Sequence, residues 1–239
     1  MTPGQPPGKR EIPAADFRTG AISGARRSVY NPTAFPHVSG MHYTMINGSA
    51  RKKAESLKVA RFAQTVAKAE LKDAEVELIS LSENPFPLWD ENQGGAPDHL
   101  WEPVAETLRG TDALVVVTPE WNGMTPPGLR NFFHFCNAEL VAHKPAAIIS
   151  VSAGINGAYP VAELRMASYK NNRLCYIPEH LIVRNVGDVL NGPDPDNKSD
   201  IYLRGRLAYT LRILEAYAGA LKTVRDSGVI DLETYPNGM

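Results

Sequence analysis

The sequence predicts an α/β protein, doubly wound around a parallel sheet of about five strands. Apolar, β-branched runs of strand length alternate with stretches of helical periodicity, and the connections between them are short and rich in Gly, Pro, Asn and Ser. Size agrees, because 239 residues can bury one sizeable core without needing a second.

Residues 41–46 read as the first strand, which runs into a turn at Asn47-Gly48-Ser49. A helix over 55–72 follows, with Leu57, Ala60, Ala63, Val66 or Ala67, and Leu71 along one face. Residues 75–81 alternate as a second strand, and Pro85 and Pro87 stop it from continuing because proline has no backbone donor. Asp98 stands where it can cap a helix carrying Leu100, Trp101, Val104, Ala105 and Leu108 to about residue 109. The third strand covers 113–118, and a proline-started helix is expected over 126–140. Strand 146–151 then ends in a small-residue loop, Ser152-Ala153-Gly154-Ile155-Asn156-Gly157-Ala158. A helix over 160–172, a strand near 175–177 and an extended piece around 181–186 come next. The last element is a long helix over 200–226 with Leu203, Leu207, Leu211, Leu214, Ala218, Leu221 and Val224 on its core side.

Residues 1–40 differ from the rest, since Pro3, Pro6, Pro7, Pro13, Pro32 and Pro36 interrupt any period. Arg26, Arg27 and Ser28 are faintly like a transit peptide, but no amphipathic pattern supports that. The expectation is a flexible extension over 1–40, or translation assigned upstream of a start at Met41, with the folded domain over 41–239.

A formal net charge of −1 creates no global field toward nucleic acid or a membrane surface, and neither partner is expected. No apolar run reaches the ~18 residues that span a bilayer, so the chain reads as cytoplasmic. Cys136 and Cys175, the two cysteines, lie apart among apolar and aromatic neighbours and read as buried thiols. No metal-ligand spacing accompanies them, and no metal is expected. The sixth residue after each is Ala142 and Leu181, so the Cys-x5-Arg loop of a small phosphatase is absent.

In an open parallel sheet, ligands sit beyond the carboxyl ends of the strands, which draws attention to the loops there. After the third strand, Pro119, Glu120, Trp121, Asn122 and Gly123 offer a carboxylate, a large ring, an amide and a glycine that lets backbone approach a ligand. The same stretch also reads as a plain strand-to-helix connection. After the first strand, Ser49 and Arg51, with Ser56 slightly further on, combine hydroxyls, a guanidinium and free amides at a helix start, which suits a terminal phosphate. They also read as an Asn-Gly turn with a solvated arginine. Either a Rossmann-like or a flavodoxin-like strand order fits, but Gly48-Ser49-Ala50-Arg51 lacks the glycines of GxGxxG, so the dinucleotide reading is weak.

Gly48-Ser49-Ala50-Arg51 after the first strand, Thr118-Pro119-Glu120-Trp121-Asn122-Gly123 after the third, and then Pro127, Gly128, Leu129, Arg130 and Asn131 form a pattern similar to the NAD(P)H-dependent FMN reductases. That flavodoxin-like family includes quinone, chromate and azo-dye reductases. The resemblance spans about 41–186, and Phe86-Pro87-Leu88-Trp89 resembles the family's Pro-rich segment after strand two. It implies a flavodoxin-like fold and FMN, with NADPH or NADH as electron donor and a small-molecule acceptor such as a quinone or free flavin, reduced by ping-pong hydride and electron transfer.

It further implies that Ser49, Arg51 and Ser56 hold the FMN phosphate. Pro119, Glu120, Trp121, Asn122 and Gly123 would border the ribityl chain and isoalloxazine, and Ser152 with Gly154 to Gly157 would approach the flavin from the third loop. No side chain is expected as an essential catalyst, because the flavin carries the chemistry. A homodimer or homotetramer is implied as well. The chain departs from the pattern at Ala54, where many members have serine, at Trp121, where tyrosine is usual, and at His134, where an acidic residue is frequent. The other reading of the same site is a non-catalytic flavin-binding electron carrier or flavin-responsive regulator.

Overall fold

The computed structural model describes residues 15–16, 21–22 and 40–238, apart from 72, 84, 85, 94–96 and 168. The expectations for the N-terminal extension and for a start at Met41 fall outside the described residues. Of that region Ala15–Asp16 and Ala21–Ile22 are described, as a short antiparallel pair, together with Gly40 at the start of the domain.

From residue 42 onward strands and helices alternate: β1 is His42–Asn47, α1 Glu55–Glu70, β2 Glu75–Ser80, α2 Asp98–Gly110 and β3 Ala113–Pro119. After it come α3 Pro127–Phe135, α4 Ala138–Val141, β4 Pro145–Val151, α5 Ala158–Met166, β5 Cys175–Val183 and α6 Lys198–Asp226. The strands form one parallel sheet in the order β2-β1-β3-β4-β5. That is the flavodoxin-like order, and it decides against the Rossmann-like alternative.

β3 lies at the centre, and its Val115, Val116 and Val117 are fully buried because helices cover both faces of the sheet. Burial of each such side chain contributes about 1.5–3 kcal/mol relative to exposure. One face packs Met45, Val115 and Ile149 against α1 and α6, whose Val59, Ala60, Ala63, Leu207 and Leu211 are buried. The other packs Ile46, Val116 and Ile148 against Leu108 of α2, Leu129 and Phe132 of α3, Leu140 of α4 and Leu164 of α5.

Several elements differ from the sequence expectation for identifiable reasons. The helix expected over 126–140 breaks after Phe135, because the Asn137 side chain accepts the Leu140 N–H and caps a new short helix, α4. The two pieces expected around 175–186 are one edge strand, β5, whose pairing jumps from Ala146 opposite Tyr176 to Ile148 opposite His180. That irregularity accommodates Pro178, which cannot donate to a ladder. The cap of α2 falls on Pro97 rather than Asp98, and α5 covers Ala158–Met166 rather than 160–172. Cys136 is buried as expected and burial raises its thiol pKa, whereas Cys175 is only half-buried.

The end of the sheet opposite the loops is fastened by buried charge. Lys144 is 6% exposed, and its ammonium donates to the carbonyls of Leu108 (2.6 Å) and Arg109 (3.0 Å), capping the C-terminus of α2. Beside it Arg225 of α6 pairs with Asp112 at 2.9 Å. Burial, reinforced by Arg225 and opposed by Asp112, lowers the Lys144 pKa from 10.5 to about 8. Below about pH 8 the ammonium is charged in both folded and unfolded protein, and its burial costs stability in full. As pH rises from about 8 toward 10.5 the folded protein releases the proton first, so stability increases. Urea unfolding of wild type and Lys144→Met across this window should show wild type gaining about 2–3 kcal/mol relative to the variant. A constant difference would contradict the assignment.

Candidate functional site

In the order β2-β1-β3-β4-β5 the chain leaves β1 for α1 on one face and leaves β3 for α3 on the other. The two departures open a crevice at the carboxyl ends of β1 and β3. Three loops border it: residues 48–54 after β1, 120–126 after β3 and 152–157 after β4.

The first loop is built on Asn47, a residue the sequence reading took only as part of a turn. Asn47 is fully buried at the end of β1; its Oδ1 accepts from the Ser56 hydroxyl (2.9 Å) and the Ser49 N–H (3.5 Å), and its Nδ2 donates to Ser80 Oγ (3.0 Å). Gly48 follows, donating to the Val117 carbonyl at 2.8 Å. A Cβ there would stand 2.8 Å from Leu129 Cδ2, so glycine is what lets α3 pack under the loop. Ser49 is buried, and its Oγ accepts the Arg51 N–H at 3.3 Å. Ala54 is the N-cap of α1 and supplies no side-chain cap to its first turn, where the Leu57 N–H turns back to the Ala54 carbonyl at 3.0 Å.

Ser56 does not stand beside Ser49 and Arg51 as a third free donor. It is buried in the first turn of α1, and its hydroxyl proton is committed to Asn47.

The second loop is a tight hairpin. The amides and carbonyls of Trp121 and Met124 exchange hydrogen bonds of 2.9 Å, and Asn122 and Gly123 both have positive φ (51° and 75°), the requirement of a type I′ turn that Asn-Gly meets most readily. Pro119 ends β3, and Glu120 donates its N–H to the Val151 carbonyl at 3.0 Å. Glu120 Oε2 accepts the Gly157 N–H at 2.6 Å, tying the second loop to the third. In the third loop Ser152 Oγ accepts the Gly154 N–H (3.3 Å), and Arg184 Nε donates to the carbonyls of Ile155 (2.6 Å) and Asn156 (3.0 Å).

Across the crevice mouth the Arg51 Cζ lies over the Trp121 ring, 4.7 Å from its centroid, so the first and second loops meet. Among the described residues no acceptor takes a hydrogen bond from the Arg51 guanidinium. Of the residues singled out from sequence, then, Ser49, Arg51, Glu120, Trp121 and Gly157 are connected through these contacts. Pro119, Asn122 and Gly123 frame the hairpin, and Ser152 and Gly154 shape the third loop.

Two further residues hold the site from behind. Glu163 of α5, 13% exposed, accepts from the Thr125 amide (2.7 Å) and hydroxyl (2.9 Å) and pairs with Arg130 at 2.9 Å. Asn131 donates to the Pro87 carbonyl and accepts the Trp89 amide, both at 2.7 Å, bringing the Pro-rich segment onto α3, where Trp89 stacks on His134 at 5.4 Å. Phe132, Phe133 and Phe135 are core residues. No local signal identified Glu163, because it matters only through Thr125 and Arg130, thirty-eight and thirty-three positions earlier. Asn131 was legible as part of the motif, but its partners were not.

A scan against family models matches residues 41–188 to the NADPH-dependent FMN reductases, and the chain belongs to that family. A quinone reductase of Pseudomonas putida is 32% identical over 120 residues, which cover 48% of this chain and 62% of that protein. The chain thus spans less than two thirds of the length of that relative. An NADPH azoreductase of a Bacillus species is 22% identical over 185 residues, covering 77% of this chain and 97% of the azoreductase. Among solved structures, the flavoenzyme NAD(P)H:(acceptor) oxidoreductase FerB from Paracoccus denitrificans has the same fold, with a TM-score of 0.61 at 20% identity over 74% of this chain and 98% of FerB.

Gly157 carries φ of 108°, and a Cβ there would stand 2.5 Å from Ile182 Cγ2. Gly157→Ala is therefore expected to destabilise the protein by about 2–4 kcal/mol, read from urea unfolding, because it strains the backbone and overpacks β5 together. An unchanged midpoint would show that the third loop is not held as described.

Proposed function

We propose that the protein is an FMN-dependent NAD(P)H oxidoreductase that reduces small acceptors such as quinones. The observation that carries this reading is the Arg51 guanidinium, which has no acceptor among the described residues, at the mouth of the β1/β3 crevice beside the start of α1, where Ala54 supplies no side-chain cap. Family membership supplies the cofactor, and the donor set fits it. Arg51, the Ser49 turn and the first amides of α1 would hold the phosphate. The Trp121 hairpin and the third loop, with its glycines at 154 and 157, would border the ring system.

Flavin supplies the redox chemistry when bound, accepting hydride from a nicotinamide and passing electrons to the acceptor. The chain's own groups orient and enclose. Glu120 Oε2 is committed to the Gly157 N–H, which supports a site in which that carboxylate orients a loop and is not an essential proton-transferring group. Nicotinamide and acceptor would occupy one flavin face in turn, which implies ping-pong kinetics. Ser56 belongs to this reading as a brace of Asn47. We extend the same reading to a folded unit over 41–239, a cytoplasmic location and a homodimer or homotetramer.

Purified protein is expected to bind FMN and to oxidise NADH or NADPH when a quinone is supplied, with parallel lines in double-reciprocal plots. Absence of binding at saturating FMN would sink the reading. Arg51→Ala should raise the Kd for FMN about 10- to 100-fold while changing that for riboflavin less than about 3-fold. Equal losses in titrations with the two ligands would show that Arg51 does not hold the phosphate.

A further inference from the structure

We infer that Trp121 is a positioning residue for the phosphate-binding arginine, acting through its indole contact with Arg51 rather than only as a wall of the ring site. The inference rests on the flavin reading above and deepens it.

An arginine side chain on a loop has many rotamers, and each phosphate it binds must first gather it into one. Here that ordering is done by protein. The Arg51 Cζ sits 4.7 Å from the centroid of the Trp121 ring, within cation–π range, and an indole is the strongest side-chain partner for such a contact. A ring face accepts no N–H hydrogen bond in the plane of the guanidinium, and among the described residues no acceptor takes one, so the donor fork stays available to an oxyanion. A carboxylate partner would also have ordered the arginine, but it would have competed with phosphate for the same N–H groups.

Both ends of the contact are mounted rigidly. The Arg51 backbone is held by its N–H bond to Ser49 Oγ, itself set by Asn47. Trp121 is the first residue of the Asn122-Gly123 hairpin, and the preceding Glu120 is pinned to Val151 and to Gly157. The hairpin therefore presents the indole to Arg51 from the opposite side of the crevice. A residue that only covered a flavin ring would affect FMN and riboflavin alike. One that aims Arg51 affects the increment that the phosphate adds.

The test is a double-mutant cycle read as the ratio of riboflavin to FMN Kd on cofactor-free protein, with Trp121→Leu, Trp121→Phe, Arg51→Ala and Trp121→Leu/Arg51→Ala. Wild type is expected to prefer FMN. Trp121→Leu should cut that preference about 3- to 30-fold whatever it does to ring binding, Trp121→Phe should retain most of it, and Trp121→Leu should remove nothing further once Arg51 is alanine. Riboflavin binding by each variant reports that it folds, and if the leucine variant does not fold, Trp121→Met, which keeps apolar bulk without an aromatic face, takes its place with the same expected loss. An unchanged ratio in the leucine or methionine variant with both affinities reduced would overturn the proposal and leave Trp121 a ring wall, and so would additive losses in the double variant. Wild-type protein that binds neither ligand would overturn the flavin reading and this inference with it.

Discussion

The crevice depends on one constraint, that β1 and β3 end side by side while their helices depart to opposite faces of the sheet. The pairing of Asn47 with Val117, extended by the Gly48 amide to the Val117 carbonyl, sets the two ends level. Leu129 of α3 then fills the space that a side chain on Gly48 would have taken. A larger residue at 48 would lift the first loop away from α3, and the Arg51 to Trp121 contact depends on that loop being where it is.

Polar side chains around the crevice divide by whether their hydrogen-bonding capacity is consumed. Asn47, Ser56, Glu120, Asn131 and Glu163 all spend theirs on neighbouring loops and helices, which fixes posture without presenting charge to a ligand. Arg51 is held differently, by a ring face. A site made this way suits a cofactor that brings its own reactivity, because what the protein must supply is an oriented cradle. The far end of the sheet, with Lys144 and the Asp112–Arg225 pair, closes the bottom of the domain and takes no part in the crevice.

Much of the fold was legible because it is written in local periodicity. The β-branched run at Val115, Val116 and Val117 could only be a strand buried on both faces, and the leucines of α6 fall at helical spacing. Legibility failed where a side chain competed with the backbone or an edge strand tolerated a fault, as at Asn137 and Pro178. At the site, Ser49, Arg51, Glu120 and Trp121 were singled out from motif and position. That Ser56 is buried with its hydroxyl donated to Asn47 has no signature in the chain.

The sequence by itself determined the elements, their alternation and the residue types at each strand end, since these follow from spacing, turn chemistry and backbone donors that are local properties. Only the tertiary structure decided which polar groups were consumed, and that Arg51 rests on Trp121. Those outcomes depend on contacts between residues distant in the chain. The thirty-seven positions between Glu120 and Gly157 and the crossing of β1 beside β3 carry no local trace.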